Sequence, residues 1–88
     1  MNTEIHFART PATLAEIQAR VAFAFDRNVF CRGIRFDVVS APRLGKGANW
    51  TISMQQVAPD ALWEASEIVS DIQEAYVLID DRRLSYAA

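Results

Sequence analysis

The chain has 88 residues, of which 51% are hydrophobic, and a formal net charge of −2. That length suits one domain spanning residues 1–88, and folding then buries about 60–65% of the surface the unfolded chain exposes. The hydrophobic content excludes a disordered chain, and no apolar run approaches the ~20 residues of a membrane span.

Met1-Asn2-Thr3-Glu4 lacks the basic start and apolar stretch of a signal peptide. A lone Cys31 excludes an internal disulfide and fits a reducing compartment, so the expected location is cytoplasmic. The charge is unevenly spread. Residues 1–46 hold seven basic and four acidic side chains, whereas residues 47–88 hold two basic and seven acidic ones. A charge dipole of this kind orients a partner or a second copy of the chain.

Ile5 and Phe7 alternate with Glu4 and His6, the period of a half-buried first strand. Thr10-Pro11 carries a helix-start signal, and Thr13-Leu14-Ala15-Glu16 a capping box three residues later. Leu14, Ile17, Val21 and Phe25 then recur on one helical face. Ala12, Ala15, Ala19 and Ala22 form a small-residue ridge expected to pack inside the fold. Phe23 falls beside the polar stripe of Thr13, Glu16, Arg20 and Arg27, and Asp26-Arg27-Asn28 ends the helix.

Gly33 introduces the alternating run Ile34, Phe36 and Val38, and Trp50, Ile52 and Met54 form a second. The turn-rich segment between them is too short for a parallel crossover, so the two strands make a hairpin. With its tip near Gly45, Phe36 faces Met54 and Val38 faces Ile52 inside. Arg35, Asp37 and Val39 face Gln55, Ser53 and Thr51 outside.

Pro59 opens a second helix with Asp60 in its first turn. Its apolar face reads Leu62, Ala65, Val69, Ile72, Tyr76 and Ile79. Asp60, Glu64, Glu67, Asp71 and Glu74 lie roughly opposite. Residues 76–86 read either as more helix or as a final strand.

The expected fold is therefore α+β: a two-layer sandwich with two helices on one face of a small antiparallel sheet, in the order β-α-β-β-α(-β). With the last strand present, the order is that of the ferredoxin-like plait.

No catalytic constellation is recognisable. A His6–Cys31 nucleophilic pair requires contact that sequence does not supply, and Cys31 sits in an apolar run where cysteine behaves as a small hydrophobe. The chain lacks zinc-ligand spacing and a calcium loop. Gly45-Lys46-Gly47 joins antiparallel strands and is not a phosphate loop. No enzyme activity, cofactor or metal is expected.

Two functions survive. The first is a non-enzymatic interaction or regulatory domain, self-associating as a homodimer or binding a protein partner through Phe23, Val39 and Trp63. Trp63 lies at the edge of the second helix's apolar face, and tryptophan is enriched at interface hot spots.

The second is a nucleic-acid-binding module using Arg32, Arg35, Arg43 and Lys46 on phosphates, with Trp50 stacking on a base. Against it stand the pI of about 5.2 and an outer sheet face without aromatics.

Overall fold

The computed structural model describes residues 9–42 and 47–79. Its elements run β1 (Thr10–Ala12), α1 (Leu14–Asp26), β2 (Phe36–Ser40), β3 (Trp50–Met54), α2 (Pro59–Ala75) and β4 (Tyr76–Leu78). The chain forms a small α+β fold whose described elements run βαββαβ; the last strand, which the sequence left open, forms at Tyr76–Leu78, and β1 forms at Thr10–Ala12. The strand expected at Ile5 and Phe7, like the Leu84–Tyr86 segment, lies outside the described residues.

The hairpin forms in the expected register. Phe36 pairs with Met54, Val38 with Ile52 and Val39 with Thr51, all antiparallel. The closing bonds Gln55 N–H to Arg35 O (3.2 Å) and Ala41 N–H to Asn49 O (2.9 Å) fix the phase of this ladder. Phe36 and Val38 therefore turn their backbone groups away from β3. The side-chain amide of Gln18 on α1 meets them, donating to Phe36 O (3.4 Å) and accepting from Val38 N–H (3.1 Å). A helix side chain thus closes one edge of the hairpin.

The sheet is not wholly antiparallel. β1 pairs with β4 in parallel, with Thr10 opposite Tyr76 and Ala12 opposite Leu78, and forms a sheet separate from β2–β3. Asn49 joins the two sheets. Its amide donates to Leu78 O and accepts from Leu78 N–H, both at 2.9 Å. Thr10-Pro11 accordingly belongs to a strand, and α1 starts at the capping box. Thr13 Oγ1 accepts from Glu16 N–H (3.2 Å), and the Glu16 carboxylate accepts from Thr13 N–H (2.8 Å).

α1 packs on β2 and on α2, and α2 packs on β3 and β4. Ile17, Val21 and Phe25 form the buried stripe of α1, and Trp50 lies at the centre of the core. The Phe25 and Phe36 rings meet edge to face at 5.1 Å. Two expectations about the helix faces need correction. On α2 the buried stripe is Ala61, Ala65 and Val69, while Leu62 is exposed. On α1, Ala15, Ala19 and Ala22 face solvent, and only Ala12, in β1, is buried. The larger side chains at 17, 21 and 25 remove more apolar surface from water, so they set the rotation of α1.

Candidate functional site

The exposed apolar side chains set the first candidate. Phe23 is 65% and Trp63 67% exposed, one on each of the two packed helices. The Arg27 guanidinium lies over the Phe23 ring, 5.3 Å from its centroid. Val39, 39% exposed, points to the face of the hairpin opposite buried Val38, away from α1. The fold thus gives Phe23 and Trp63 a common helical layer and leaves Val39 on another side of the molecule.

The second candidate is a cleft of about 560 Å³ between the α1–β2 connection and the start of α2. Phe30, Arg32 and Arg35 line one side, with Gln55, Gln56 and Ala58 opposite. The connection folds this way because Asn28 makes an Asx turn. Its Oδ1 accepts from Phe30 N–H (2.8 Å), and its Nδ2 donates to Glu64 Oε1 on α2 (3.1 Å). The turn sends Cys31 into the core and leaves Phe30 54% exposed.

Gly33 (φ 83°) and Gln56 (φ 48°), both lining the cleft, occupy the left-handed region. A side chain at position 33 would be strained by that backbone. Arg32 Nε donates to Asp26 O at 3.2 Å, near the C-terminal end of α1, which anchors the guanidinium. Ala58, the N-cap of α2, offers no capping side chain.

Among the described residues expected to contact nucleic acid, Arg32 and Arg35 come together here and Trp50 does not join them. Arg43 and Lys46 lie outside the described residues. Trp50 is 1% exposed and its Nε1 donates to Tyr76 O at 3.1 Å, so no face of its ring is available to a base. Its place in the buried phase of β3 decides this, because a strand sends alternate side chains to opposite faces. The exposed aromatic in the cleft is Phe30. The sequence signal for it is Asn28 two residues earlier, the spacing of an Asx turn that ends a helix and reverses the chain.

Cys31 is fully buried, with Sγ 3.9 Å from Ala61 O. Burial, and secondarily the nearby Glu64 carboxylate, push its thiol above the ordinary thiol range. The reactive thiolate is disfavoured, the reverse of what a nucleophile needs. His6 lies outside the described residues. Iodoacetamide is expected to label Cys31 in the urea-unfolded chain and to leave it largely unmodified in the folded chain at mildly alkaline pH. Equal labelling rates in the two states would show an accessible, ionised thiol. A raised pKa in the fold also means that this group's contribution to stability is present below the unfolded thiol pKa. It is lost as pH rises through the folded one.

Among the described residues, no helix is long and apolar enough to cross a membrane. Compared with known proteins, the chain matches no family model, and no curated protein or solved structure shows significant similarity to it. The fold and its surfaces define the class to which it is assigned: a small α+β domain.

Proposed function

We propose that this chain is a non-enzymatic, cytoplasmic protein-interaction domain that self-associates. One observation carries the reading: bulky apolar side chains are left outside, and on α2 small ones take the buried stripe. Phe23, Val29, Phe30, Leu62 and Trp63 are each between 46% and 72% exposed, whereas the buried stripe of α2 consists of two alanines and a valine. A fold that gains little from burying alanine but leaves tryptophan in water can gain more by association. Trp63 is the anchor, since a large ring on a rigid helix loses little conformational entropy on contact.

Light scattering during size-exclusion chromatography tests this. The expected result is a dimer at micromolar concentration, and a chain monomeric even at high micromolar concentration overturns the proposal. Trp63→Ala is expected to weaken the dimer by about 30-fold or more. Thermal stability measured on the dissociated chain should change little, because the side chain is 67% exposed. A dimer untouched by Trp63→Ala would move the interface to Val39 and the outer hairpin face.

A second reading, nucleic-acid binding, is favoured by the meeting of Arg32 and Arg35 in one cleft.

A further inference from the structure

The cleft's charge is opposite to that of the protein. The chain carries eleven acidic residues and a net charge of −2, yet among the described residues the side chains lining this cleft include two arginines and no carboxylate. Two unopposed guanidinium groups give the cleft a locally positive potential that suits an anion. The remaining polar groups in the lining are the Gln55 and Gln56 amides, which offer both donors and acceptors. An aromatic ring, Phe30, stands 54% exposed beside the arginines.

Each feature matches one part of a nucleotide: guanidinium for phosphate, ring for base face, amide for base edge. The two walls are also set in place by the backbone. Gly33 holds the arginine-bearing turn and Gln56 the opposite one, each in the left-handed region. The 560 Å³ of space holds a nucleotide with its neighbours continuing into solvent.

We infer that this cleft binds single-stranded nucleic acid, with one base stacked on Phe30 and flanking phosphates held by Arg32 and Arg35. The inference rests on the nucleic-acid reading and replaces its aromatic, Trp50, by Phe30. Arg32 is suited to the role because its bond to Asp26 O uses Nε only and fixes the direction of the side chain.

The test is a titration of the full-length ¹⁵N-labelled chain with short oligouridine, at low and then physiological salt. Amides of Phe30, Gly33, Arg35 and Gln56 are expected to shift. The logarithm of the association constant should fall against the logarithm of salt with a slope of about −1.4 for two phosphates, and about −0.7 in Arg35→Gln. Phe30→Ala is expected to weaken binding about 5-fold or more.

Inorganic phosphate alone should give weaker shifts that do not depend on Phe30. If phosphate reproduces the oligouridine response, or if Phe30→Ala binds as well as the parent, the stacking role is wrong and the inference falls. Binding that maps to residues 41–49 instead would overturn the cleft but keep the nucleic-acid reading. No shifts at low salt would overturn both. An Arg35→Gln variant that alters dimerisation and leaves RNA binding unchanged would assign the cleft to the protein interface and also overturn the inference.

Discussion

Trp50→Ala is expected to cost about 3–5 kcal/mol and to leave the chain close to unfolded at physiological temperature. The ring is 1% exposed and sits among Ile17, Val21, Cys31 and Val38 in the central cluster. An 88-residue domain has a total stability on the order of 4–13 kcal/mol, so one cavity of this size removes a large part of it.

The loss has a second component. Trp50 Nε1 donates to Tyr76 O at 3.1 Å, and removing the indole leaves that carbonyl of β4 without its partner. Trp50→Phe separates the two effects. It keeps most of the apolar volume and is expected to cost about 1–3 kcal/mol, chiefly for the lost bond and the small void. Urea titrations followed by far-UV circular dichroism measure both. A Trp50→Ala variant within about 1 kcal/mol of the parent would mean that the ring is not in the core.

Asn49→Ala is expected to free the Leu78 end of β4 from the hairpin at a cost of about 2–3 kcal/mol, with Trp50 still holding Tyr76 O. The Asn49 amide bonds both N–H and C=O of Leu78 at 2.9 Å, just as a neighbouring strand would. Alanine removes both bonds and leaves two part-buried backbone groups for water to reach. Amide hydrogen exchange should show the loss locally. Leu78 becomes fast, while Ile79, whose N–H is held by Ala12 O of β1, and Val39 and Thr51, paired within the hairpin, remain protected.

Asn49→Asp gives a signed variant of the same test. An ionised carboxylate still accepts from Leu78 N–H but cannot donate to the Leu78 carbonyl, which the protonated carboxyl can. The variant should therefore gain stability relative to the parent as pH falls and the carboxyl becomes a donor. Uniform exchange across both sheets in Asn49→Ala would show that β4 and the hairpin open as one unit.

The two substitutions mark how far local pattern reaches in this chain. Trp50 was legible as core, because it shares the alternating phase of Ile52 and Met54 and strand periodicity needs no partner to be read. The same reading placed Phe36 against Met54 and Val38 against Ile52 correctly. It gave α1 the capping box as one of two candidate starts and the buried Ile17, Val21 and Phe25, though it also set Leu14, 41% exposed, on that face. Nothing in the sequence around Asn49 distinguishes it from an ordinary turn residue. Its partner, Leu78, lies 29 positions away. Gln18 on the Phe36–Val38 edge and Gln73, whose Nε2 donates to Trp50 O at 2.7 Å, belong to the same class.

What the amino-acid sequence by itself determined is the two helices, the hairpin between them and its register, since these follow from short-range steric and apolar repeats, whereas β1 at Thr10–Ala12 was read as a helix start and Tyr76–Leu78 as either helix or strand. Tertiary structure alone decided which way whole faces turn and which distant groups meet. Leu62 reads as apolar-face yet is 46% exposed, because Ala61 and Ala65 let α2 lie closer to the core than leucine would. The parallel pairing of β1 with β4, and the meeting of Phe30 and Arg32 with Gln56 across one cleft, were hidden for the same reason. Long-range contacts are fixed by the packing of the whole chain, and no window of adjacent residues contains that information.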